Sequence, residues 1–219
     1  MRLSRPARSV LLAIVGFSAT AVAPGLAAAD TSDPNAGVSG ASDPQVARLL
    51  AAKSTLKWNH GTASRYGHAE ALVATNADDL AKAAADFGHY KDIHPKFNSA
   101  RIIAKEAGQT DVYMRYPVKI GPVKFELYEV MRFSPARMET GSHVIEGRGI
   151  KGDMTRGHTK ITIKPVDATH SVLAVDVLLD PKIPAPQSLV DEELRDGAGD
   201  FVNGLKDRTQ GFGGPVTSL

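Results

Sequence analysis

Residues 76–96, NADDLAKAAADFGHYKDIHPK, are the stretch on which the fold assignment turns. Asn76 can accept a hydrogen bond from a first-turn backbone N–H, and Asp79 stands three residues on. Leu80, Ala83, Ala84 and Phe87 recur at i, i+3, i+4 and i+7, which predicts a short capped helix with one apolar face. Gly88 is expected to end that helix, because glycine enters the left-handed C-terminal conformation without steric cost. Pro95 disfavours a helical His94, so residues 89–96 read as a compact aromatic and basic linker.

The residues before this stretch divide by composition. Residues 1–29 carry Arg2, Arg5 and Arg8, an apolar segment over 10–15 and a small-residue end at Ala27, Ala28 and Ala29, the pattern of an export signal. Gly16, Ser18, Thr20 and Pro24 interrupt the apolar run, which falls short of the roughly 20 residues of a membrane span; an uncleaved anchor is the alternative. Cleavage there would leave 190 residues with 23 basic against 24 acidic side chains, so the +2 of the whole chain resides in the signal. That balance argues for one exported domain, periplasmic or secreted, and against a nucleic-acid partner, which needs a concentrated basic surface. The chain has no cysteine, which excludes disulfides, thiolate catalysis and Cys-bound metal.

Residues 30–42 are too polar to order themselves and read as a disordered leader. Within 43–60, Asp43 and Pro44 open a short helix whose face runs through Val46, Leu49, Leu50 and Lys53, followed by Trp58. The helix is expected to pack on the domain or fray. Membrane contact is a weaker alternative, since its cations are Arg48 and Lys53 alone.

Downstream, residues 66–75 and 97–106 read as strands. Residues 111–119 and 122–133 form the clearest hairpin, with Val112, Met114, Tyr116 and Val118 alternating against Tyr113 and Arg115, and Val123, Phe125 and Leu127 against Lys124 and Glu126. Three more strands fall at 142–151, 158–166 and 171–179. Pro181, Pro184 and Pro186 make 180–187 a non-helical crossover. Val190, Leu194, Ala198, Phe201, Val202 and Leu205 then define a long amphipathic helix, with Gly197 and Gly199 inside it, before a loose tail at 211–219. The class is α+β, with antiparallel strands that bury one face.

This order of elements resembles the START-like (SRPBCC) superfamily, the helix-grip fold of polyketide cyclase/dehydrase and lipid-transport proteins. Residues 86–96, DFGHYKDIHPK, are similar to that family's helix end, with His94 where tryptophan is usual, and residues 117–123, PVKIGPV, resemble the hairpin of its bacterial cyclase-like branch. The resemblance places a START-like domain at 61–210. It implies a curved antiparallel sheet of about six to seven strands wrapped around the C-terminal helix, and a hydrophobic small molecule or lipid held between them. Glycines 197 and 199 suit that expectation by thinning the helix, although close packing or a bend explains them equally well. Expected lining residues are Phe87, Tyr90, Phe97, Tyr116, Phe125, Leu127, Val190, Leu194 and Phe201, with Phe87 and Leu194 the two most suited to pure core.

Chemistry is less visible. GRGIKG at 147–152 matches a dinucleotide-binding spelling but ends a strand with no helix after it, so its glycines suit a bulge instead. His89 and His94 share the linker and could meet a third ligand, but solvated turn histidines are the simpler reading; no metal, cofactor or obligate protein partner is expected. Arg115, Glu126, Tyr113, Tyr128, Arg132, His143 and Arg148 could polarise a ligand carbonyl only if they faced the cavity, and alternation puts Arg115 and Glu126 on the wet face. No catalytic residue is nominated. Binding without chemistry is therefore favoured over a cyclase or dehydratase-like enzyme and over a ligand-free cell-envelope interaction module.

Overall fold

The computed structural model describes residues 37–62, 64–120 and 123–211, all within the unit formed by residues 33–219. The proposed export signal, most of the leader and the tail beyond 211 lie outside the described residues. The chain runs α1 (Pro44–Ala52), β1 (Leu56–His60), β2 (Tyr66–Val73), α2 (Ala77–Ala84), a 3-10 turn (Phe87–His89), α3 (Tyr90–Ile93), β3 (Ser99–Glu106), β4 (Gln109–Ile120), β5 (Val123–Phe133), β6 (Arg137–Glu139), β7 (Ser142–Gly152), β8 (Met154–Pro165), β9 (Ser171–Pro181) and α4 (Gln187–Gly211).

Among the described residues, nine antiparallel strands form one sheet in the order β1-β2-β9-β8-β7-β5-β4-β3, with the short β6 paired to β7. This is the expected α+β helix-grip class, with two strands more than the upper expectation. The additions are β1, which alternates over only the four residues Leu56, Lys57, Trp58 and Asn59 before His60 interrupts the apolar beat, and β6, which at three residues is too short to show a period.

Alternation divides the sheet into faces. Ala69, Ala71 and Val73 of β2, Ile161 and Ile163 of β8, and Leu173 and Val175 of β9 pack inward on Ala198, Val202 and Leu205 of α4. Close approach is built into the backbone: a Cβ at Gly67 would overlap the Leu194 carbonyl, so β2 and α4 meet main chain to main chain. The outer face is covered at β2 and β9 by α1, whose Val46 and Leu49 bury against Leu72 and Val172. Asp43 caps α1 by accepting from the Gln45 N–H at 2.8 Å, and its other oxygen meets Lys164 Nζ at 2.5 Å. Lys53, read above as part of the apolar face, instead ends the helix in the left-handed conformation (φ 53°).

At α2 the cap is as read: Asn76 Oδ1 accepts from the Asp79 N–H at 2.9 Å, and Asn76 Nδ2 donates to Asp79 Oδ2 at 2.7 Å. The end differs. The helix stops at Ala84, four residues before Gly88, and the chain continues as the 3-10 turn and then one turn of α3 where a linker was expected. Packing outweighs the glycine signal there: Phe87, Tyr90 and Ile93 all turn into the core, whereas a single helix continued to residue 93 would carry Tyr90 and Ile93 round from the face of Leu80 and Phe87. Phe87 stacks on Phe133 at 4.5 Å, Tyr90 meets Phe201 edge-on at 5.0 Å, and Tyr90 Oη donates to the Ala84 carbonyl at 2.7 Å.

Candidate functional site

Between the inner face of the sheet and the first half of α4 lies a cavity of about 150 Å³. α3 and the residues after it supply Tyr90, His94 and Phe97, the β4–β5 hairpin supplies Tyr116, Leu127 and Glu129, and α4 supplies Val190, Leu194 and Phe201. The proline-containing crossover closes one side through Pro181, Ile183 and Ala185. At the rim, Lys96 Nζ reaches Glu193 at 3.2 Å and Asp200 at 3.7 Å, tying the segment after α3 to α4.

Seven of the nine expected lining residues border this space: Tyr90, Phe97, Tyr116, Leu127, Val190, Leu194 and Phe201. Leu194, read as core, is among them. Phe87 and Phe125 are not. Phe87 is buried beneath the cavity floor against Phe133 and Tyr90. Phe125 has the strand parity of Leu127 but lies two residues nearer the hairpin tip, half-buried and beyond the cavity. Of the two glycines, Gly197 borders the cavity, whereas a Cβ on Gly199 would point at Lys57.

None of the seven polar strand residues weighed above borders the cavity. Arg115 pairs with Glu126 at 2.9 Å on the wet face, Tyr113 stacks on Tyr128 at 5.8 Å, and Arg132 holds Asp111 through two bonds of 2.7 and 2.8 Å. His143 meets Asp78 at 2.9 Å, and Arg148 is exposed. The glycine-rich stretch 147–152 is strand rather than phosphate loop, and the β5–β7 register shifts between Val130 and Met131 opposite it, so the bulge reading holds.

The linker histidines separate. His89 is exposed and meets Asp86 at 2.8 Å, but His94, expected to be solvated, is buried at 7% exposure and stacks on Phe97 at 4.4 Å. Loss of hydration pushes the His94 imidazole down to about 4, so it is neutral near pH 7.

The residue that sequence reading missed is Glu129. It is 1% exposed, and burial raises its carboxyl to about 7. Glu129 Oε2 and the hydroxyl of Tyr116 are both buried without a hydrogen-bond partner among the described residues. Burial also raises the Tyr116 phenol well above its ordinary range, so it keeps its proton. Space for the carboxyl is made by glycines: a Cβ on Gly149 of β7 or Gly157 of β8 would overlap Glu129 Oε1. The signal was available in the alternation itself. Continued past Leu127, the inward positions are 129, 131 and 133, and Glu129 is the charged residue in that apolar register.

No family model and no curated protein matches the chain at the level of sequence. Solved structures do match it in fold. A STAR-related lipid transfer protein of Xanthomonas axonopodis aligns with a TM-score of 0.59 at 15% identity, over 71% of this chain and 92% of that one. An aromatase/cyclase of Streptomyces sp. R1128 aligns at 0.57 and 14%, over 71% and 99%, and a START superfamily protein of Mycobacterium smegmatis at 0.53 and 18%, over 67% and 97%. These neighbours are START/SRPBCC proteins, and the chain shares their helix-grip fold.

Proposed function

We propose that the protein binds a hydrophobic or amphipathic small molecule, a lipid among the candidates, between the sheet and α4, without covalent chemistry. The observation that carries this reading is the pairing of an apolar cavity with two buried polar atoms, Tyr116 Oη and Glu129 Oε2, that the protein leaves unpartnered. An unmet buried polar group costs about 1–3 kcal/mol, and a ligand hydroxyl or carbonyl that met both would recover it. The solved neighbours described as lipid transfer and aromatase/cyclase proteins suit a small-molecule site in this fold.

The half-open space takes one benzene-sized ring, whereas ligand pockets commonly measure roughly 300–1,000 Å³. A larger ligand therefore extends past the open side or needs a wall to move. The crossover at 182–186 is the segment suited to it, since it borders the cavity through Ile183 and Ala185 and lies outside helix and strand. We place the protein outside the cytoplasm on the strength of residues 1–29, with the binding domain at 61–210.

The test is native mass spectrometry of the purified chain after incubation with an envelope lipid extract, alongside displacement of an apolar fluorescent probe. A retained apolar adduct that displaces the probe supports the reading. Absence of both adduct and probe binding would discard it in favour of the ligand-free interaction module.

A second reading, a cyclase or dehydratase-like enzyme, is favoured by one observation: Glu129 ionises near 7 beside a protonated Tyr116, the poise of a general base with a hydrogen-bond donor. Turnover of a poly-β-ketone analogue that is lost in Glu129→Gln, with probe affinity kept, would select it.

A further inference from the structure

On the face of the sheet away from the cavity, β1, β2 and β9 bring two histidines of one hairpin together with an aspartate more than a hundred residues away in sequence. Cross-strand pairing sets Trp58 opposite His68 and His68 opposite Asp176, while His60 ends β1 opposite Tyr66. Because Ala69, Ala71, Val175 and Val177 point inward, His68 and Asp176 point out. Asp176 Oδ1 lies 2.7 Å from His60 Nε2 and 2.7 Å from His68 Nδ1, and the donor atoms of all three residues fall within 4.8 Å of one another.

We propose that His60, His68 and Asp176 form a binding site for a borderline divalent transition metal ion such as Zn(II). Zinc sits about 2.0–2.2 Å from imidazole nitrogen and carboxylate oxygen, so small rotations of these side chains admit an ion between them. Two imidazoles and one carboxylate favour zinc, nickel or copper over calcium and magnesium, which need more oxygen ligands. His60 is 44% exposed, which leaves a fourth coordination position to water.

The surroundings fit a metal ligand better than a plain surface histidine. His68 is held by Trp58 at 4.2 Å between ring centres, and His60 stacks on Tyr66 at 5.4 Å. The second nitrogen of His68, Nε2, is buried with no hydrogen-bond partner among the described residues and lies 3.8 Å from Glu70 Oε2. Glu70 is 2% exposed and fixed from above by α1, accepting from Gln45 Nε2 at 2.7 Å and from Arg48. With Nδ1 on a metal, the ring proton sits on Nε2 facing that carboxylate, and closing the 3.8 Å gap by a small rotation would give the outer-shell hydrogen bond that orients metal-binding histidines. α1 thereby takes part in the site through Glu70, without touching the metal.

Trp58 is the chain's single tryptophan, so its fluorescence reports on this place alone. The untagged full chain, freed of metal with a chelator, is titrated with Co(II) and then Zn(II). Saturable quenching by one equivalent of Co(II), visible d–d absorption and displacement by Zn(II) are expected. His60→Gln, at an exposed position, and the near-isosteric Asp176→Asn should each abolish saturable binding. Glu70→Gln should weaken it about tenfold or more, and His89→Gln should leave it unchanged. Wild-type protein that shows no saturable quenching, or His60→Gln and Asp176→Asn proteins that bind as tightly as wild type, overturns the proposal.

Discussion

Gly157 of β8 lies directly against the carboxyl of Glu129 on β5, so closely that a Cβ at 157 would overlap Oε1. A strand glycine, ordinarily a weakness, is here what lets a carboxyl enter the inner face of the sheet.

Gly157→Ala should therefore destabilise the protein by about 1–3 kcal/mol through overpacking. The same substitution in a Glu129→Ala background should cost much less, since the obstructing carboxyl is gone. Urea-denaturation free energies of the four proteins in this double-mutant cycle measure the coupling. Additive values would show that the two residues do not share the space.

Glu129 and His94 face the same cavity and pull the pH dependence of stability in opposite directions. The Glu129 carboxyl holds its proton to about 7 in the folded chain against 4.5 ordinarily, so stability present at low pH is lost as pH rises from 4.5 to 7, by up to about 3 kcal/mol. His94 is lowered from 6.5 to about 4, so its contribution is full above 6.5 and lost as pH falls to 4, by a similar amount. Between 4.5 and 6.5 the two nearly cancel. Glu129→Gln should expose the His94 slope, with stability climbing through that window and then staying level, whereas the wild type falls towards neutrality. Parallel pH profiles for the two proteins would contradict this.

The glycines of α4 should respond with opposite signs. A Cβ on Gly197 would meet His94 Nε2 at an ordinary 3.7 Å, so Gly197→Ala should gain about 1 kcal/mol of helix propensity. It should also weaken probe binding, because it takes space from the cavity. A Cβ on Gly204 would overlap the Ile93 carbonyl, so Gly204→Ala should destabilise despite the same propensity gain. Thermal melts of the pair decide it.

α1 is fastened by a buried carboxylate. Arg48→Met would leave Glu70 with Gln45 as its remaining close donor in α1, and is expected to cost about 2 kcal/mol, discounted because Arg48 is 54% exposed. Glu70→Gln in the Arg48→Met protein should recover most of the loss. Denaturation midpoints at neutral pH test this, and a neutral Arg48→Met would mean that the Arg48–Glu70 pair adds nothing to the apolar contacts of Val46 and Leu49 and the remaining bonds of Gln45 and Asp43.

Period and punctuation carried the architecture. The alternation of Val112, Met114 and Tyr116 against Tyr113 and Arg115 set strand type and facing, the spacing from Val190 to Leu205 set the buried stripe of α4, and Asn76 set the start of α2. All three are local properties, written by backbone geometry into the order of residues. Where tertiary packing competed with a local signal, the local signal lost: Gly88 does not end α2, because Phe87, Tyr90 and Ile93 gain more from the core than the chain gains from a glycine stop. Burial of particular polar groups was decided at the same level. His94 is a linker residue by sequence and a cavity wall by structure, and Glu129 reads as one charge in a charged strand until Gly149 on the neighbouring β7 and Gly157 on β8 beyond it make room for it. The meeting of His60, His68 and Asp176 also depends on register, since β9 reaches β2 only after the chain has traversed six intervening strands. Such proximities follow from how the sheet closes over α4, which no spacing along the chain encodes.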